Sequence, residues 1–152
     1  MLGKMQNELL GAMVGLVRTA DKNGKTADTD RVLLEGLLAV RDGSAGEENI
    51  LRVRKEKAKA APGCAMCAMP CGSTADADME ALWNGGAEAV SARKAILDIL
   101  CGAADEILRR LNRGDVDEEV LFLVHKGLFF LGEDTDAAEL RDVLTELEVL
   151  KK

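Results

Sequence analysis

The chain contains no tyrosine, and its aromatic side chains are confined to Trp83, Phe122, Phe129 and Phe130. Alanine and the aliphatic residues dominate instead, a palette that suits helices rather than sheets. No apolar run reaches the roughly 18–20 residues needed to span a bilayer. The richest candidate, residues 120–131, is interrupted by His125 and Lys126. Positive charge is also in short supply: 20 basic against 27 acidic side chains leave a net charge of −7, which opposes long-range attraction to nucleic acid or to an anionic membrane. Phosphate-binding glycine loops, serine or cysteine nucleophiles paired with histidine, and zinc-protease motifs are all missing. No catalytic acid–base pair is evident, so no residue is assigned a catalytic role.

What is present is enough for one ordinary domain of 152 residues, long enough to bury a core without disulfides. Lys4 and the apolar residues 9–17 superficially resemble a short signal peptide. Glu8 precedes that stretch, however, and no convincing small-residue cleavage site follows, so it reads as the first helix. Without an export signal the thiols are expected in a reducing compartment, the cytoplasm by default. There, clustered cysteines bind metal or do redox work more often than they form disulfides.

Apolar residues at helical spacing, Leu9, Met13, Leu16 and Val17, predict a first helix ending near Ala20, where the polar run 21–25 begins. Asp28 or Thr29 can cap a second helix bearing Val32, Leu33, Leu37 and Val40, which the Gly43-Ser44-Ala45-Gly46 run breaks. A strongly charged third helix follows over about residues 47–59. Pro62-Gly63 then opens a cysteine loop, and Thr74 with Asp76, Asp78 and Glu80 marks the start of a short helix that Gly85-Gly86 interrupts. Further helices are expected over residues 87–111 and 116–131, with a turn at 112–115 between them. A last helix is capped by Thr135 or Asp136 after a turn at 132–134.

The two ends of the chain resemble each other at an offset of 91 residues. Leu9, Gly11, Ala12 and Arg18 match Leu100, Gly102, Ala103 and Arg109; Gly36-Leu37 match Gly127-Leu128; Glu48 matches Glu139. The shared shift suggests two copies of a three-helix unit, with Gly11 and Gly102 at equivalent places where helices approach closely. The expected architecture is therefore all-α, with about seven helices. Two similar three-helix units, residues 1–60 and 87–152, are joined by a cysteine loop and short helix at 61–86, all within one compact domain.

Cys64, Cys67 and Cys71 place three thiols within eight residues, close enough for a compact loop to converge them on one point. Soft thiolates favour zinc, copper(I) or iron-sulfur clusters. Pro70 restricts the backbone, Gly72 permits an unusual turn, and a helix beginning near Thr74 would direct its positive end toward Cys71, each favouring a deprotonated thiol. A metal-free redox dithiol and unreactive loop thiols are the alternatives. Met66 and Met69 would soften the site further toward copper(I), or simply pack under the loop.

Cys101 is the natural nominee for a fourth metal ligand, yet it lies in mid-helix and aligns with Leu10, which points to core filling. His125 could also coordinate metal. It sits between Phe122 and Phe129 on one helix face and aligns with Leu34, which favours a packed histidine with a hydrogen-bond partner. Trp83 is a fluorescence reporter near the loop, with no chemistry assigned. Arg52, Arg54, Lys55, Lys57 and Lys59 concentrate positive charge on the helix leading into the cysteines. Such a stripe is a solvated face, a dock for an acidic redox partner, or a counter-charge to a negatively charged thiolate site.

The string Cys71-Gly72-Ser73-Thr74, followed by Ile96-Leu97-Asp98-Ile99-Leu100-Cys101-Gly102-Ala103, resembles the N-terminal helical region of hybrid-cluster proteins (hydroxylamine reductases) and, more distantly, of carbon monoxide dehydrogenases. The likeness extends through Asp117-Glu118-Glu119-Val120 and Leu128-Phe129-Phe130-Leu131. It implies iron-sulfur ligation by Cys64, Cys67 and Cys71 and an architecture of stacked three-helix bundles. The cysteine spacing differs, the loop falls mid-chain, and the chain is too short to include the domains that bind the family's catalytic cluster, so the reaction is not carried over.

The functional expectation is a small helical metal or iron-sulfur protein, with zinc as the alternative metal, acting in electron transfer, sensing or an accessory role. Its rival is a metal-free helical interaction module that binds a protein partner or forms a homodimer.

Overall fold

The computed structural model describes residues 3–60, 76–132 and 135–151. Among them lie seven α-helices and no strand: α1 (Lys4–Asn23), α2 (Thr29–Asp42), α3 (Glu47–Lys59), α4 (Met79–Trp83), α5 (Ala87–Asn112), α6 (Glu118–Leu131) and α7 (Ala137–Leu147). A single 3-10 turn, Glu148–Lys151, follows α7. The protein is all-α.

Local chemistry sets the helix ends. The polar run expected to stop α1 near Ala20 instead forms its last turn. The stop is Gly24, whose φ of 93° lets its N–H close on the Ala20 carbonyl while the chain turns away. α2 ends in the same manner at the left-handed Gly43, with φ 72°. Three aspartates cap helices by accepting backbone N–H groups: Asp78 from Ala81, Asp117 from Glu119 and Asp136 from Glu139. These caps shift two expected boundaries. α6 starts at Glu118, and α4 starts at Met79 rather than near Thr74, since residues 76–78 are not helical.

The seven helices share one continuous apolar core. α1 lies at its centre, packed by α2, α3, α4 and α6, and every residue from 9 to 17 is buried. A helix covered on all sides needs no polar face, which explains the unbroken apolar stretch. α1 packs most extensively on α3, α5 packs on α2 more than on α7, and the two halves meet where α2 lies on α5 and α1 on α6.

Gly36 and Gly127 take matching places on the second helix of each half. A Cβ at Gly36 would stand 2.7 Å from Met13 Sδ, and one at Gly127 would stand 3.0 Å from Leu100 Cδ1. The expected equivalence of Gly11 and Gly102 does not hold. Gly11 faces the Ala77 carbonyl so closely that a Cβ would overlap it, whereas Gly102 is exposed with open space around it. The crowding at Gly11 comes from the segment entering α4, not from a neighbouring helix.

Candidate functional site

Cys64, Cys67 and Cys71, with Pro62, Gly63, Met66, Met69, Pro70, Gly72, Ser73 and Thr74, fall within 61–75 and so outside the described residues. The base from which that segment springs is described. Ala60 ends α3, and the chain resumes at Asp76 against the same helix. The Asp76 carboxylate accepts from Arg54 Nε at 2.9 Å and from Lys57 Nζ at 3.0 Å. Burial alone would raise the Asp76 carboxyl, but the hydrogen bonds from Lys57 and Arg54 outweigh it and hold the group below its ordinary value.

The chain then re-enters the core at once. Ala77 N–H donates to the Gly11 carbonyl at 3.1 Å, which is why no side chain fits at position 11. Met79 and Trp83 are buried, and Trp83 Nε1 donates to Asn7 Oδ1 at 2.8 Å. Arg93 donates to the Leu82 carbonyl at 2.8 Å, tying α4 to α5. The chain that leaves the 61–75 segment is thus held at two successive residues, Asp76 by an ion-pair network on α3 and Ala77 by a backbone seat on α1. α4 begins at Met79, after the non-helical residues 76–78, and the expected start near Thr74 lies outside the described residues.

The basic stripe is largely committed within the chain. Arg52 reaches Glu35 at 2.5 Å, Arg54 and Lys57 hold Asp76, and Lys59 lies 3.7 Å from the buried Glu56. Lys55 alone of the five shows no carboxylate partner among the described residues. The stripe therefore fastens the segment base more than it presents a free cationic surface.

Cys101 is buried on α5, its thiol 3.5 Å from the Leu37 carbonyl, to which it donates. Burial, with Asp98 nearby, pushes its thiol up to about 12, so the proton stays on and the sulfur is a poor metal ligand. Its repeat partner Leu10 is likewise fully buried. The geometry places Cys101 in the core, the alternative that its alignment with Leu10 favoured over a fourth-ligand role. Among the described residues no three His, Cys, Asp or Glu side chains converge as a metal site.

His125 is half-buried on α6, and its Nε2 lies 2.7 Å from Asp30 Oδ1 on α2. Lys25 Nζ holds the other Asp30 oxygen at 2.8 Å. Burial raises the Asp30 carboxyl, but the hydrogen bonds from His125 and Lys25 prevail and leave it below its ordinary value. An ionised carboxylate only accepts, so Nε2 carries the hydrogen. Sequence reasoning anticipated a hydrogen-bond partner for His125 but could not name Asp30, 95 positions away. No protein-family model matches the chain, and no curated protein is found to be similar to it.

Proposed function

We propose that this chain is a small helical metal or iron-sulfur protein serving electron transfer, sensing or an accessory role, with Cys64, Cys67 and Cys71 as the ligands. The observation that carries the reading is the pairing of sequence with scaffold. Three thiols within eight residues belong to a segment whose two described ends are held at α3 by the Arg54–Asp76 and Lys57–Asp76 ion pairs. A ligand-bearing segment fastened at its base gives up less chain entropy when a metal draws the thiolates together. Cys101 stays in the core in this reading, so the fourth position belongs to a small molecule or a partner's side chain. The resemblance to hybrid-cluster proteins supports the ligand assignment and lends no reaction.

Elemental analysis of protein purified without oxygen tests this. Iron with sulfide, and visible charge-transfer absorption lost in Cys67→Ser, would establish a cluster. Colourless protein with stoichiometric zinc would establish a closed structural site. Protein holding neither, and unchanged by substitution of all three cysteines, would defeat the reading. That result would leave the rival, a metal-free helical interaction module, for which Phe122 at 63% exposure is the favouring observation.

A further inference from the structure

The three phenylalanines of the chain all line one cleft. Phe122, Phe129 and Phe130 of α6 face Val17, Ala20 and Asp21 at the end of α1 across a space of about 470 Å³, with Lys25, Glu118, His125 and Lys126 completing the wall. Phe129 and Phe130 stack edge to face with ring centres 5.5 Å apart. Phe122 remains 63% exposed, an unusual place for a large apolar ring on a chain with so few aromatics. The volume suits a small organic molecule.

The polar part of the wall narrows the chemistry. Asp30 engages His125 Nε2, which leaves Nδ1 as the ring nitrogen open to an occupant, an acceptor when the ring is neutral. Lys25 is turned onto Asp30, with Glu118 at 3.8 Å, and Lys126 is taken by Glu146 at 2.7 Å. Asp21, on the rim, has no ion-pair partner among the described residues. In and directly behind the wall stand the carboxylates Asp21, Asp30, Glu118 and Glu146 against the ammonium groups Lys25 and Lys126, so carboxylates outnumber cations even if the imidazole is protonated. Aromatic faces attract cations as well.

We propose that this cleft is a binding site for an arylalkylamine, a protonated amine carried on a short chain from an aromatic ring. The ring of the amine packs against Phe122 and the Phe129–Phe130 pair, its ammonium lies at Asp21 and Glu118, and an N–H is within reach of His125 Nδ1. The proposal does not rest on the cysteine reading.

Three probes of one shape and different charge test it on the full chain by NMR titration: 2-phenylethylamine, 2-phenylethanol and phenylacetate. The amine is expected to bind with shifts centred on Phe122, His125 and Phe129, and about tenfold more tightly than phenylacetate. Asp21→Asn should weaken the amine about two- to fivefold and leave the alcohol unchanged. Phe122→Ala, at an exposed position that does not threaten folding, should weaken both by a similar factor. Equal affinity for amine and carboxylate would overturn the proposal. So would the absence of shifts at these residues up to about 10 mM ligand, where even the weakest specific site would begin to fill.

Discussion

In each half of the molecule three helices pack on one another, α1 with α2 and α3 and α5 with α6 and α7, and their first helices are buried differently. In the first, α1 is enclosed on every side, and nine successive residues, 9–17, are buried. In the second, the corresponding stretch of α5 keeps an open face, with Gly102 and Glu106 exposed between the buried Leu100, Ala104 and Ile107. The contrast has a simple source. α4 and the residues leading into it lie over α1 at Gly11, and among the described residues nothing comparable covers α5 at Gly102. How much of a helix is buried therefore depends on what the other parts of the chain bring to its outer face.

The offset between the halves also drifts. The first two helices keep 91 residues between Gly36 and Gly127, but the buried pairs Ile50 with Leu140 and Val53 with Val143 are 90 apart, as are the preceding residues Gly46 and Asp136. The Glu48–Glu139 match at 91 is thus one residue out of step with the packing. Asn49, whose side chain accepts from Gly46 N–H, holds in α3 the place that Glu139 holds in α7.

The comparison can be broken most forcefully at its matched leucines. Leu9 and Leu100 are both fully buried, and truncation of either to alanine should lower the unfolding free energy by about 3–5 kcal/mol, measured by denaturant titration. A loss below about 1 kcal/mol at one of them would show that the halves do not share the load. Next in size is Gly11→Ala, whose new methyl meets the Ala77 carbonyl; a loss of about 3 kcal/mol is expected from the forced shift of backbone.

Asp30→Asn should cost about 1–2 kcal/mol by weakening its bond to His125, which joins the halves, and its bond to Lys25. Because the folded carboxyl lies below its unfolded value, its contribution is full above about pH 4 and fades as the pH falls through the lower folded value. The variant should accordingly show a flatter acid limb in unfolding measured against pH. Cys101, with its thiol near 12, should hold only about one thiolate in ten thousand at pH 8. It should resist alkylation in the native state and react only as fast as the core opens, as mass spectrometry would show. Gly102→Ala should be the mildest change and the opposite in sign to Gly11→Ala, a gain of about 0.5–1 kcal/mol from helix propensity alone.

Much of the helical layout was legible because its signals are short-range. α3 occupies the stretch predicted for it, α5 runs one residue past its expected end, and Asp136 caps α7 as named, whereas Asp28 precedes α2 without a side-chain cap hydrogen bond. Where the boundaries moved, a competing local signal won: Asp117 capped before Val116 could enter α6, and Gly24 outranked the polar run ahead of it. The candidate site was legible only in part. The thiol spacing is plain in the chain, and Cys101 was recognisable as a core residue from its alignment with Leu10. The clamps on the segment base and the phenylalanine-lined cleft were not visible, because each joins residues far apart in sequence.

By itself the amino-acid order determined an all-helical protein, the approximate helix limits and the clustering of three thiols, since caps, turns and amphipathic spacing act over three or four residues. Only the tertiary structure decided that Gly11 is crowded and Gly102 is free, that Asp30 receives His125, and that Phe122 stands at the mouth of a cleft. Those outcomes depend on the distances between helices, and no periodicity along a single helix records which neighbour will lie against it.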